Sequence, residues 1–167
     1  MKKLSIIFFV LFIAFFSFQC TKEGPVGPAG EDGNANVQVF IKSVSVNQWV
    51  EYGTFGAYNH NYGTDINISE LTSDISTNGT VLAYIKSDDV YLALPFTAFQ
   101  TNYFNVFNYT HTTGIVEVFK MASDYMTLPP TTIMNFKIVL IDGLVNIPNS
   151  LDIKDYNKVS EYFDLEY

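Results

Sequence analysis

Glycine stands at positions 24, 27, 30 and 33, with proline at 25 and 28, and this three-residue period constrains the chain more than any other feature. Such a run favours an extended polyproline II course, makes no hydrogen bonds within itself and offers little with which to build a core. It cuts the chain in two. A folded domain must be assembled from the residues after it, and the residues before it are read separately. The run covers about three and a third triplets, too few to nucleate and hold a triple helix alone. As a semi-rigid tether rising about 3.1 Å per residue, Thr21 to Asn36 reaches at most about 50 Å.

Ahead of the tether, Lys2 and Lys3 precede an unbroken apolar run from Ile6 to Phe16, followed by Ser17-Phe18-Gln19-Cys20. A positive start, an apolar stretch of about 13 residues and a small residue near its end are the anatomy of an export signal, expected over residues 1–19. A spanning helix needs roughly 20 apolar residues, and Ile6 to Phe18 is shorter. Cys20 is the only cysteine, so it has no internal disulfide partner, and a lone thiol in an exported chain needs an explanation. Placed just after the apolar run, it can be thioether-linked to a diacylglycerol and become the mature N-terminus. Two or three acyl chains, at about 0.8 kcal/mol per buried CH₂, would anchor it stably in a membrane. The segment resembles bacterial lipoprotein signal peptides. These usually carry Leu three places before the cysteine and a small residue directly before it; Ser17 and Gln19 hold those places here. Lys22-Glu23 resembles the short Lys-acidic tags of some surface-exposed lipoproteins, and no Asp follows Cys20 as an inner-membrane retention signal. The expectation is an exported protein, lipid-anchored at the outer membrane and facing the periplasm or the cell surface.

Removing residues 1–19 leaves seven lysines, no arginine and 17 acidic residues, so the net charge moves from −8 to −10. That balance argues against nucleic acid, which demands a basic footprint, and against charge-driven adhesion to anionic lipid. About 148 residues remain, enough for one domain with a sizeable core. That core must hold by packing alone.

From Ala35 onward Val, Ile, Phe, Tyr, Thr and Asn dominate, which are strand and turn formers. The expected fold is all-β: a single antiparallel β-sandwich-like domain of about seven strands over residues 37–167, with residues 20–36 as lipid-anchored cysteine and spacer. Val37, Val39 and Ile41 alternate with Gln38, Phe40 and Lys42, and the parity then shifts to Val44 and Val46, which predicts a bulge or bend. Trp49 reads as a core or rim anchor. Leu71 to Gly79 reads as one capped helical turn with Thr72 as N-cap and Gly79 ending it left-handed. Val81–Ile85 is apolar on both faces, hence central, and returns through Ser87-Asp88-Asp89 to Val90–Pro95. Residues 97–104 read as loop with an edge strand. A second hairpin joins Val106–Thr110 to Ile115–Phe119 through Thr112-Thr113-Gly114. In the last strand, Ile133 to Ile141, Met134, Phe136, Ile138 and Leu140 share one side. The tail carries apolar residues at 153, 156, 159 and 163, a helical spacing over about 152–164, with Asp152 as N-cap, covering an opening or edge of the sheet.

Residues 51–65 have no clear period and are rich in Gly, Tyr and Asn. They fit a long binding loop or a twisted hairpin with an irregular turn. Tyr52, Phe55, Tyr58 and Tyr62 are the candidates for an aromatic contact surface, suited to carbohydrate or peptide; the alternative is that they cap the end of the core. Catalytic signatures are missing from the sequence: it has no Gly-x-Ser-x-Gly elbow, phosphate loop or His-Glu-x-x-His. His60 and His111 are far apart and lack a spaced acidic partner, so no metal and no cofactor is expected. Asp88-Asp89 reads as a solvated turn, without the ladder of oxygen ligands that calcium needs.

Several stretches together carry a resemblance. They are the signal with Cys20, Gly24 to Gly33 running into Asn34-Ala35-Asn36-Val37, Leu71-Thr72-Ser73-Asp74-Ile75 with Asn78-Gly79, and Val81-Leu82-Ala83-Tyr84. Leu94-Pro95, Phe136 to Ile141 and Asp155-Tyr156-Asn157-Lys158-Val159 with Tyr162-Phe163 complete the set. The chain resembles uncharacterised small bacterial lipoproteins with a short collagen-like Gly-X-Y stretch after the lipidated cysteine. The resemblance implies an exported, lipid-anchored, β-rich domain and no activity. Two functions stay in play: a non-enzymatic module that contacts the membrane through its lipid and binds a glycan or protein partner, or serves structurally, and an envelope-polymer hydrolase using a pair of carboxylates.

Overall fold

The computed structural model describes residues 36–165. The expected signal peptide, Cys20 and all but the last residue of the expected spacer lie outside the described residues. Nine strands form two antiparallel sheets with one sandwich core between them, so the all-β reading holds, with nine strands where about seven were expected. The four-stranded sheet has the order β1 (Val37–Val44), β9 (Met134–Ile141), β4 (Thr80–Ser87), β5 (Val90–Ala93). The five-stranded sheet has the order β2 (Val50–Tyr52), β3 (Asn61–Asn67), β8 (Ile115–Ala122), β7 (Phe104–Thr112), β6 (Phe96–Phe99).

The inter-sheet core explains the side-chain periods. Phe136, Ile138 and Leu140 of β9, Val81, Ala83 and Ile85 of β4, and Val116 and Val118 of β8 point into it, with Phe107 from β7. Trp49 joins them from the crossover between the sheets, its ring centroid 6.3 Å from that of Phe136. The other parity of the four-stranded sheet is also apolar: Val37, Leu82, Tyr84, Val139 and Ile141 form a second cluster with Tyr156, Val159 and Phe163. This second cluster is why Val81–Ile85 is apolar on both faces.

It also corrects the expected bulge in β1. The strand pairs with β9 without interruption, from Val37 opposite Ile141 to Val44 opposite Met134. The apolar parity shifts because Val37 faces the second cluster while Phe40 and Val44 face the first. A strand sandwiched on both sides can change its buried face without changing its backbone.

Two short helices cross the layers. In α1 (Ser73–Asn78) the Thr72 hydroxyl accepts the Ile75 amide at 3.2 Å, as its residue type predicts. Gly79 ends this helix in extended rather than left-handed backbone (φ −89°). Glycine is needed there for space: a Cβ would lie 2.5 Å from the Ile141 carbonyl oxygen. The C-terminal helix α2 (Tyr156–Tyr162) begins later than the spacing implied, with Asp155 as N-cap accepting the Asn157 amide. Asp152 instead accepts the Lys154 amide one turn earlier. Rather than closing an opening of the sandwich, α2 lies on the outer face of the four-stranded sheet, and a bridge between Leu92 and Asp155 ties its start to the edge strand β5.

Candidate functional site

The region from 51 to 65 is a hairpin with an irregular turn. β2 and β3 pair from Val50 opposite Gly63 to Tyr52 opposite Asn61, and residues 53–60 form the connection. A buried histidine organises that connection. His60 is 1 % exposed. Its Nδ1 lies 3.1 Å from the Tyr125 carbonyl oxygen, which can only accept, so Nδ1 carries a proton. Its Nε2 lies 2.8 Å from Glu51 Oε1, within hydrogen-bond distance. The Tyr125 carbonyl also accepts the Gly56 amide at 3.0 Å, and Thr127 donates to the His60 carbonyl at 3.3 Å. The loop is thus fastened to the 123–127 segment and to β2.

The four aromatic candidates divide. Tyr58 is 82 % exposed and Phe55 is 55 % exposed, with the Phe55 ring edge-on to His60 at 5.2 Å. Tyr52 is 45 % exposed, and its ring covers Gly63: a Cβ at that glycine would lie 3.0 Å from Tyr52 Cε2 and 3.3 Å from Glu117 Oε1. Only a glycine lets both side chains lie down on the sheet at this point. Tyr62 parts from this group. It turns to the inner side, packs against the inter-sheet core and sits beside Glu51. Burial, then the Glu51 carboxylate, push its phenol above the ordinary range. Alternation along β3 dictates this split, since Tyr62 shares its parity with the core residue Ile66.

The same alternation identifies residues that sequence reasoning missed. On the outer side of the five-stranded sheet, Met121 lies opposite Val106, and Val106 opposite Thr97. Phe119 lies opposite both Gly63 and Asn108, and Phe104 opposite Phe99. No described helix packs on this side. The visible signal was that β7 and β8 carry large apolar side chains at both parities, one set for the core and one left over. With Tyr58 and Tyr125, the residues Phe104, Val106 and Met121 line a hollow of about 260 Å³ at the loop end of this face. Further along, Asp65 stands directly opposite Glu117, and the two line a second hollow of about 160 Å³ with Thr110, His111, Thr112 and Ile115. Thr110 donates to Glu117 at 3.3 Å.

A cavity of about 470 Å³ lies elsewhere, at the seam between β5 and the segment leading into α2. At its base Lys137 is 3 % exposed, its ammonium 3.7 Å from the Tyr156 ring centroid and 4.1 Å from that of Tyr91. Cation–π contact accommodates this cation in the layer beneath α2. The acids at the rim serve the helix entry: Asp152 and Asp155 accept backbone amides and share Lys158 at 3.5 and 3.9 Å. With Lys137, Asp152 and Asp155 engaged in docking the C-terminal segment, this cavity is a packing seam.

His111 contacts Ser76 at 3.3 Å, and His60 is enclosed by Glu51 and Tyr125. Among the described residues, no group of three or more His, Cys, Asp or Glu side chains is arranged to hold a metal ion. No helix among them is long and apolar enough to cross a membrane. No protein family matches this chain, and no curated protein or solved structure matches it either.

Proposed function

We propose that this is a lipid-anchored envelope protein, tethered through Cys20 and a Gly-X-Y stand-off, whose sandwich serves as a non-enzymatic binding module on the open side of its five-stranded sheet. The observation that carries the binding role is Tyr52, laid over Gly63 on a sheet face against which no described helix packs, with Tyr58 freely exposed in the loop that follows β2. A ring already held in place loses little freedom when a ligand stacks on it, so its contact area converts efficiently into affinity. The anchor rests on the sequence: a positive start, an apolar run, a single cysteine and then a spacer. Mass spectrometry of the native protein tests it. An N-terminus at Cys20 carrying acyl chains is expected, and an intact peptide with unmodified Cys20 would refute the anchor. For the binding role, Tyr58→Ala is expected to abolish retention of the protein on its cells' own envelope material while leaving its denaturation profile unchanged. Retention equal to the parent's would remove the aromatic face from the function.

A second reading has one observation in its favour. Asp65 and Glu117 are a carboxylate pair placed side by side by strand register, the arrangement a polymer hydrolase needs. A glycosidase acid must be held in an apolar pocket to stay protonated, and Asp65 is exposed. Binding is therefore preferred. Turnover of envelope polymer that disappears in Glu117→Gln would reverse the preference.

A further inference from the structure

We infer that the ligand of the open sheet face is an elongated, uncharged polysaccharide running along β8; this rests on the binding role proposed above and supplies its ligand class. Charge makes the first cut. The outward positions of β2, β3, β8, β7 and β6 carry Asp65 and Glu117 and no Lys or Arg, and the only basic side chains lining the two hollows are His60 and His111. Anionic polymers, whether nucleic acid, acidic lipid headgroups or uronic acid chains, meet like charge there.

The mixture of side chains makes the second cut. A protein interface concentrates apolar and aromatic residues at its centre and keeps charge to the rim. Here the polar groups are interleaved with the apolar ones: Asn108 opposes Phe119, and Thr97 opposes Val106. Asp65 of β3 opposes Glu117 of β8, the strand that also carries Phe119. A sugar ring has an apolar C–H face for an aromatic ring and a girdle of hydroxyl donors for amide and carboxylate oxygens. It matches such a surface without a counter-charge. The two opposed carboxylates repel one another when bare. Hydroxyl donors bridging them would relieve that repulsion.

Dimensions make the third. The aromatic hollow includes Met121 and the acidic one includes Glu117, four residues apart on one strand and so separated by about 13 Å. Tyr52 covers Gly63 between them. A ligand that uses both hollows must be extended, which selects a chain over a single small molecule.

The test uses the full-length protein in detergent, mixed with the detergent-washed envelope fraction of the cells that make it, and reads co-sedimentation. Retention is expected to survive exhaustive protease treatment of the fraction and to be lost after periodate oxidation of its sugars. It should change less than about twofold between low and high salt. Tyr58→Ala and Tyr52→Ala are each expected to weaken it by about tenfold or more, while Tyr52→Phe, which keeps the ring on Gly63, retains it. Retention destroyed by protease but indifferent to periodate would identify a protein partner, overturning the polysaccharide while leaving the binding role intact. Retention lost in high salt would identify a charged partner, with the same consequence. Retention that ignores both tyrosine variants would overturn the polysaccharide and the binding role together.

Discussion

The two sheets of this sandwich share one core and differ in what lies on their backs. The four-stranded sheet is covered by α2 and the segment before it, which bury Val139, Ile141 and Tyr84 as completely as the central core buries Phe136, and Leu82 nearly so. On the back of the five-stranded sheet, Tyr52 and Phe104 stay exposed and Phe119 and Met121 only half-buried. Both backs carry rings. In one they are enclosed and serve stability; in the other they are pinned at the surface, where the same chemistry is available to a ligand. Side-chain type alone does not separate the two roles; coverage does.

Substitutions can break that comparison or sharpen it. The largest effect is expected at Phe136, which contacts Trp49 in the shared core. Phe136→Ala should cost about 3–5 kcal/mol, a large part of the roughly 5–15 kcal/mol that holds such domains together. Urea denaturation would read it as a collapse of the midpoint. Next comes the covered back. Phe163→Ala should cost about 3 kcal/mol if α2 is an integral layer. A loss confined to helix fraying, with an unchanged global midpoint, would demote α2 to an accessory.

Alkaline titration probes the covered back through Tyr84 and the shared core through Tyr109. Burial, followed by neighbouring Tyr109, Tyr156 and acidic groups, pushes the Tyr84 phenol far above its ordinary value of 10.0, and burial raises Tyr109 too. Because folding favours the protonated form of each, their contribution is intact below pH 10 and is lost as pH climbs from there toward their folded-state values. Phenolate absorbance should therefore appear in two stages, with Tyr84 and Tyr109 contributing only to the second, as the domain unfolds. Tyr84→Phe should flatten the second stage. A single smooth titration would mean that the covered back admits solvent.

Smaller effects belong to the open side. His60→Ala removes the ring that both Glu51 and Tyr125 engage and should cost about 1–3 kcal/mol. Hydrogen exchange should locate the damage at residues 53–60 and 123–127. Tyr58→Ala should leave stability within about 0.5 kcal/mol of the parent, since the ring is almost wholly in solvent.

Much of the fold was legible because its cues are local. Both tight hairpins follow from turn residues between alternating runs, and the Asp88 φ of 51° is one that Asp tolerates. Met134 to Leu140 declared its core face by parity, and Thr72 its capping role by type. What escaped depends on partners distant in the chain. The β1 parity shift needed α2, more than 100 positions later, to make sense. The burial of His60 escaped because its acceptor, the Tyr125 carbonyl, is 65 positions away. Asp152 and Asp155 are both plausible caps three residues apart, and only the bridge from Leu92 fixes which one starts the helix. The Tyr-rich hairpin was legible as a candidate site. That Tyr62 belongs to the other side followed only once the strand boundaries were known.

The strand order has a consequence for how this chain comes into being. β9, the last strand, lies between β1 and β4, and its partner Val37 is 104 positions from Ile141. Until residue 141 is available, β1 has no neighbour and the four-stranded sheet has no middle. Such distant pairing slows folding, so a chain delivered N-terminus first must wait, uncommitted, for its final quarter.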